Sequence, residues 1–136
     1  MNEAKRQLVQ SWLTKAQHDL ASARVLAAST EPLLDTAIYH CQQAAEKAVK
    51  GFLAFCDQEF ERIHDVEVLI RAAAAHEAGF SGWVEVGRHL TPFARIYRYP
   101  GTFTEPSREQ FNQAMFSAEG FYNFVLSLLP EETWPE

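Results

Sequence analysis

The residue types best suited to binding a ligand are concentrated in one segment of the chain, RHLTPFARIYRYPG. No acidic residue lies between Glu85 and Glu105, so this segment is basic and aromatic in a chain of net charge -6. Arginine binds phosphate through paired hydrogen bonds, and tyrosine can stack on a nucleobase. We therefore expect Arg95, Arg98 and Tyr99 to contact a nucleotide or RNA. The alternative is a surface loop whose arginines pair with acidic side chains from elsewhere.

A second candidate is Asp19, a carboxylate within the apolar stripe of the first predicted helix. On the helical wheel it lies between Trp12 and Leu26, and an unpaired carboxylate in a dry site is costly. The possible basic partners are Lys47, Lys50, Arg95 and Arg98, and the sequence does not choose among them. We expect an ion pair that fixes the register of two helices, with a catalytic role as the alternative.

The third candidate is the polar face of the second predicted helix, in the stretch YHCQQAAEKAVK. The residues that share this face are Tyr39, Gln43, Glu46 and Lys50, flanked by Gln42 and Lys47. Glu46 precedes Lys50 by four residues, which is the favourable order for an ion pair. The alanine and glutamine lining favours a helix interface, such as a dimer seam, or a ligand wall that includes Lys47 and Lys50. A face exposed to solvent is the alternative.

These candidates must be positioned by helices, because helical periodicity dominates the sequence and strand-like alternation is nearly absent. The pattern predicts an all-α, up-and-down bundle of four to five helices. The predicted helices run from about Glu3 to Ala28, Leu34 to Cys56, His64 or Asp65 to Gly79, Ser81 to Tyr97 and Ser107 to Leu129. Pro92 should kink or divide the fourth helix. We expect a single domain over residues 1–136, with its core at about 4–129 and a frayed tail at 130–136.

Composition excludes several classes of protein. With 47% hydrophobic and 22% charged residues, the chain is of globular composition. No apolar run approaches the roughly 20 residues of a membrane helix, and the first residues lack the apolar stretch of a signal peptide. We therefore expect a cytoplasmic protein without membrane contact. The acidic balance argues against coating nucleic acid by bulk charge, so any phosphate contact must be local.

The two cysteines do not indicate a disulfide or a metal site. Cys41 and Cys56 fall about 22 Å apart along one predicted helix, which is far beyond disulfide reach. Neither belongs to the short paired spacing of a zinc site. We expect both to be small core residues, and we expect neither a metal nor a cofactor.

Four motifs in this order resemble the HEPN domain family. They are the W-x-x-x-A-x-x-D-L-x-x-A-x-x-L spacing from Trp12, YHCQQAAEKAVKGFL from Tyr39, His64-Asp65 before an apolar helix, and YRYPG from Tyr97. The resemblance spans nearly the whole chain. It implies a helical bundle that is commonly a homodimer, is often encoded beside a minimal nucleotidyltransferase, and binds a nucleotide or RNA. Many members are metal-independent ribonucleases of toxin–antitoxin and defence systems.

The ribonucleases of the family carry an arginine followed, after four to six residues, by a histidine late in the domain. In such a pair histidine transfers protons and arginine stabilises the charged phosphate. This chain has no histidine after His89, so the motif is missing from its expected place. Arg71 and His76 match the spacing, but about one match is expected by chance. We expect His64 and Asp65 to mark a helix start and to share a polar network with Asp19 and Glu46.

The resemblance and the residues together favour a dimeric, non-enzymatic module that binds a nucleotide, RNA or a nucleotidyltransferase partner. Two alternatives remain. One is a metal-independent ribonuclease toxin that uses Arg71 and His76. The other is a dimeric scaffold without a ligand.

Overall fold

Five α-helices and three short 3-10 turns make up the secondary structure of the described residues. The structure is a computed structural model and describes residues 1–101 and 105–136. The helices are α1 (Glu3–Ala28), α2 (Leu34–Phe55), α3 (Val66–Ala74), α4 (Val84–Leu90) and α5 (Arg108–Leu128). No strand occurs in the described residues, and the all-α prediction is confirmed. Among the helices described, none is long and apolar enough to cross a bilayer.

Side-chain caps set the first residues of three helices. Asn2, Asp65 and Ser107 each accept a hydrogen bond from a backbone N–H in the first turn of α1, α3 and α5. At α5 the Gln110 side chain also accepts from the Ser107 N–H, which completes a capping box. Each cap contributes about 1 kcal/mol. Asp65, and not His64, is therefore the residue that begins α3.

The middle of the chain is more interrupted than the sequence predicts. Helix α3 ends at Ala74 instead of near Gly79, and a 3-10 turn at Ala78–Trp83 follows. The predicted fourth helix is divided into α4 and a second 3-10 turn at Thr91–Ala94, so the predicted break at Pro92 is confirmed. Pro92 lies in that turn, where its missing N–H and its ring prevent a continuous α-helix.

The C-terminal tail packs against α1, so the prediction of a frayed tail is wrong. Thr133 is fully buried in a short 3-10 turn at Glu131–Thr133. The Trp134 indole N–H donates to two backbone carbonyls at the end of α5, at 3.0 and 3.1 Å. From α1, Arg6 and Gln10 donate to tail carbonyls at 3.1 and 2.8 Å. These bonds tie the tail to the start of α1 and to the end of α5.

Helix α2 is the central helix and packs on α1 along most of its length, with α5 and α3 on its other sides. The two long helices approach closely at Gly51. A Cβ at this position would lie 3.2 Å from Cβ of Trp12 and 3.4 Å from Cδ2 of Leu13. Any larger side chain would therefore force α1 and α2 apart, and with them the side chains that the two helices hold together.

Candidate functional site

Glu46, Lys50 and His64 form one polar cluster, here called the closed triad, under the connection between α2 and α3. The Glu46 Oε2 atom accepts from Lys50 Nζ at 2.9 Å and lies 3.2 Å from His64 Nδ1. The side chains of Glu46 and Lys50 are only 5% and 7% exposed, whereas that of His64 is 68% exposed. The acid and the amine are therefore an internal ion pair, and only the histidine meets water.

The closed triad also fastens the connection that follows α2. The fully buried Gln42 donates from Nε2 to Glu46 Oε1 at 3.0 Å and to the His64 carbonyl oxygen at 3.1 Å. The Lys50 Nζ atom lies 5.7 Å from the ring centroids of both Trp12 and Phe60. An acid and two ring faces thus replace the water that the ammonium loses on burial. Glu46 and Lys50 are buried and paired with each other. They therefore form neither the solvent-exposed face nor the open ligand wall that the sequence suggested.

Asp19, Lys47 and His40 form a second cluster, here called the open triad, between α1 and α2. Asp19 Oδ2 accepts from Lys47 Nζ at 2.7 Å, and Asp19 Oδ1 lies 2.7 Å from His40 Nδ1. Lys47 is therefore the basic partner of Asp19, and His40 is a second one. The Asp19 side chain is 9% exposed, and those of Lys47 and His40 are each 25% exposed. This ion pair joins α1 to α2 at the edge of the core.

The open triad leaves one nitrogen of His40 available. The Asp19 carboxylate accepts from the Lys47 ammonium, and a carboxylate only accepts hydrogen bonds. The Nδ1 atom of His40 must therefore carry a hydrogen, which makes Nε2 an acceptor in the neutral ring. A ring fixed in this way can accept a hydrogen bond or a proton from a ligand beside it.

Three clefts lie around the open triad and the segment 95–101. The polar cleft, of about 250 Å³, is lined by Asp35, Thr36, Tyr39, His40, Tyr97 and Arg98. The α1 cleft, of about 520 Å³, is lined by His18, Ala21, Ser22, Val25, Leu26 and His40. The Tyr99 cleft, of about 510 Å³, is lined by residues that include Pro92, Arg95, Ile96, Tyr99 and Pro100. His40 thus stands between the first two clefts.

Arg98 reaches the polar cleft across an aromatic ring. Its guanidinium carbon lies 4.2 Å from the Tyr39 ring centroid and 5.5 Å from that of Tyr99. One of its N–H groups donates to the Ala94 carbonyl oxygen at 3.2 Å. No carboxylate pairs with Arg98 in residues 1–101 or 105–136. The guanidinium is therefore held in place by rings and backbone, with its charge left uncompensated.

The three arginines of the basic segment differ in their partners. Arg88 binds Glu67 at 3.1 Å and also contacts Glu85, as expected of an ordinary surface ion pair. The hydrogen bond from Arg88, followed by that from Arg71, lowers the pKa of Glu67. Arg95 is exposed and, within the part of the chain that is described, forms no ion pair. Arg95 and Arg98 thus remain available to an anion, and Arg88 does not.

Arg71 and His76 each contact a different residue. The Arg71 Nη2 atom binds Glu67 at 2.9 Å, and His76 contacts Gln58. Both side chains are exposed, and neither lines any of the three clefts. A ribonuclease role for this pair stays a prediction, and none of the three clefts described above is next to it.

The two cysteines form no disulfide in the structure. Cys41 is buried, Cys56 is half-buried, and both are free thiols. Burial raises the pKa of the Cys41 thiol to about 12, so it is inert at neutral pH. No group of three or more histidine, cysteine or acidic side chains suited to a metal ion occurs among the described residues.

Two residues of the polar cleft, His40 and Asp35, were not predicted from the sequence. A signal for His40 existed, because it precedes Lys47 by seven residues, or two helical turns, and so shares its side of α2. Any acid that pairs with Lys47 is therefore within reach of His40. No comparable pattern singles out Asp35, which is one acid among several near a helix start.

Comparison with known proteins gives the family. Residues 9–129 match the model of the HEPN domain. The archaeal HEPN homologue ST0689 is 26% identical over 88% of this chain and 96% of that chain, with a TM-score of 0.67. TT1696 from Thermus thermophilus has the same fold, with 23% identity, coverage of 90% and 99%, and a TM-score of 0.77. The comparison with curated proteins gave no match. Because the family model covers nearly the whole helical bundle, this chain belongs to the HEPN domain family.

Proposed function

We propose that this HEPN domain binds a nucleotide or RNA at the polar cleft and the Tyr99 cleft. The observation that carries the proposal is Arg98, whose guanidinium lies 4.2 Å from the Tyr39 ring centroid beside a cleft. No carboxylate in the described ranges neutralises it, although the chain has a net charge of -6. A guanidinium fixed in position binds phosphate with two parallel hydrogen bonds.

Arg95 and Tyr99 extend this site along the same segment. Both line the Tyr99 cleft, whose volume of about 510 Å³ falls within the roughly 300–1,000 Å³ typical of small-molecule pockets. The Tyr99 side chain is 62% exposed, so one face of its ring is open to a base. Stacking of a base on an exposed tyrosine tolerates any sequence. Arg95 and Arg98 would then hold the phosphates on the two sides of the segment.

Calorimetric titration with ATP, GTP and a short single-stranded RNA tests this site. Loss of a charge-assisted hydrogen bond costs roughly 1.5–3 kcal/mol, so Arg98→Ala should weaken binding by about 10-fold or more. Arg95→Ala should also weaken it. The matched control is Arg71→Ala, an exposed arginine bound to Glu67 and outside the clefts. Binding that survives both test substitutions, or that falls equally in the control, contradicts the proposal.

The domain is also proposed to form a homodimer and to act with a nucleotidyltransferase partner, as the family resemblance implies. Among the described residues, Phe116 on α5 is the most exposed large hydrophobic side chain, at 83%. An interface that covers Phe116 would remove this ring from water. A toxin–antitoxin or defence role would follow from such a partnership.

Two measurements test these assemblies. Sedimentation at micromolar concentration should give twice the mass of one chain, and Phe116→Ser should shift the protein toward the monomer. Co-expression with a minimal nucleotidyltransferase from the same genome should give a complex that survives gel filtration. A strict monomer would remove the dimer, and separate elution of the two proteins would remove the partnership.

A further inference from the structure

The lining of the polar cleft includes a carboxylate, that of Asp35, as well as Arg98. Asp35 lies in the first turn of α2, and its Oδ1 accepts from the Thr36 N–H at 2.7 Å and the Thr36 hydroxyl at 3.3 Å. Its Oδ2 accepts no hydrogen bond from any described residue. A carboxylate in the lining of the same cleft disfavours a simple anion, so the cleft is not built for phosphate alone.

His40, which also lines the polar cleft, carries a second acceptor. Asp19 binds the Nδ1–H of the ring, so Nε2 is the acceptor in the neutral form. Within the described chain, Nε2 has no partner of its own. The cleft thus combines two unused acceptors, at Asp35 and His40, with one unpaired cation, at Arg98.

We propose that the polar cleft binds the ribose and the adjoining phosphate of a ribonucleotide. Asp35 and His40 accept hydrogen bonds from the neighbouring 2′- and 3′-hydroxyls, and Arg98 donates to the phosphate. A ribose diol supplies two O–H donors side by side, which matches the two acceptors, and acidic side chains select ribose in this way. This inference rests on the nucleotide binding proposed above and specifies the ligand further.

The size of the cleft agrees with that ligand class. Its volume of about 250 Å³ is below the range of roughly 300 Å³ and more that holds a drug-sized molecule. It has room for a sugar and a phosphate, and the base would extend toward Tyr99. An intact 2′,3′-diol occurs in free ribonucleotides and at the 3′ end of RNA, whereas deoxyribonucleotides lack it.

Calorimetry with ATP, 2′-deoxy-ATP and 3′-deoxy-ATP tests the proposal. Each deoxy analogue should bind the wild-type protein about 10-fold more weakly than ATP, because an acceptor loses its donor. Asp35→Ala and His40→Ala should each weaken ATP binding and reduce this preference, while affinity for the analogue that lacks the corresponding hydroxyl changes little. His18→Ala is the matched control, since His18 lines the α1 cleft only. Thermal denaturation checks that each variant is folded.

Two RNA probes separate the possible sources of the diol. A trinucleotide with a free 3′-hydroxyl should bind more tightly than the same trinucleotide with a 3′-phosphate if the cleft takes RNA ends. Equal and weak binding of both, with tight ATP binding, assigns the cleft to free ribonucleotides. Equal affinity for ATP and both deoxy analogues, lost in Arg98→Ala, overturns the ribose assignment but keeps nucleotide binding. Failure of the wild-type protein to bind any nucleotide or RNA overturns both.

Discussion

The closed triad and the open triad contain the same three kinds of side chain in different surroundings. Each joins one carboxylate to a lysine ammonium and to the Nδ1 atom of a histidine. Each takes its lysine from α2. The kinds of side chain therefore do not distinguish the two clusters, and their separate roles must come from what covers them.

Burial falls on different members of the two clusters. In the closed triad the acid and the lysine are buried together, and the histidine is exposed at the surface outside the three clefts. In the open triad the lysine and the histidine are each a quarter exposed, and the histidine forms the wall of two clefts. The first arrangement locks a connection to the core, and the second holds an imidazole where a ligand can reach it.

The largest expected effect follows from breaking the buried pair. Lys50→Ala leaves the buried Glu46 carboxyl without its ammonium partner, so the free energy of unfolding should fall by about 3–5 kcal/mol. Urea denaturation followed by circular dichroism measures this loss. A decrease below about 1 kcal/mol would show that water or His64 replaces the ammonium. The double variant Lys50→Met, Glu46→Gln should recover much of the loss, because no buried charge remains.

The same substitution in the open triad should cost less. Lys47→Ala removes one partner of Asp19 but leaves His40, and the site is partly hydrated. We expect the free energy of unfolding to fall by about 1–2 kcal/mol, the range for a partly exposed charged hydrogen bond. The measurement is again urea denaturation, run in parallel with Lys50→Ala. Equal losses in the two variants would contradict the distinction between the triads.

The two histidines should separate stability from binding. His64→Ala and His40→Ala should each change the free energy of unfolding by no more than about 1 kcal/mol, because both rings are partly or largely hydrated. Only His40→Ala should weaken binding of ATP, since His64 lines none of the three clefts. Parallel denaturation and calorimetry of the two variants make the comparison. A binding defect in His64→Ala would move the ligand to the closed triad.

The long helices and the break at Pro92 were predictable from the sequence, and the rest of the middle of the chain was not. Helix α1 has the predicted ends, and α2 and α5 differ by a residue or so, because long amphipathic stripes and local caps define them. The 3-10 turn after α3 depends on distant contacts. Phe80 in this turn is fully buried, with its ring centroid 4.7 Å from that of Phe52 and 5.0 Å from that of Phe124. Such packing overrides local helix propensity.

The site was predictable in part. The helical wheel correctly placed Glu46 and Lys50 on one face of α2. A wheel shows which way a side chain points, but it does not show which residues from other segments bury it. The cover comes from Trp12 on α1 and Phe60 in the following connection, which are far apart in sequence. For the same reason the wheel identified Asp19 as needing a partner without choosing Lys47. Contacts between separate segments decide both the burial of Lys50 and the partner of Asp19. Periodicity within one segment carries no information about such contacts.

The buried Cys41 thiol, whose sulfur lies 3.7 Å from that of Met115 on α5, has the smallest expected effect on stability at neutral pH. Burial raises its pKa from 9.0 to about 12. The folded state therefore holds this proton more tightly than the unfolded state does. The resulting stability is complete below pH 9 and is lost as the pH rises from 9 toward 12. Urea denaturation at pH 8 and at pH 10.5 should show this decline, and Cys41→Ala should reduce it.

Thiol labelling at pH 8 extends this prediction to the two triads. In the native protein Cys56, which is half-buried, should react with a disulfide reagent before Cys41, whose labelling requires opening of the bundle. Lys50→Ala should speed the labelling of Cys41 more than Lys47→Ala does, because it removes the more buried ion pair. Cys56→Ala removes the fast phase and isolates the Cys41 signal. If Cys41 reacted as fast as Cys56 in the native protein, this side of α2 would be accessible to the reagent. Such a result would contradict the burial of α2 in the core.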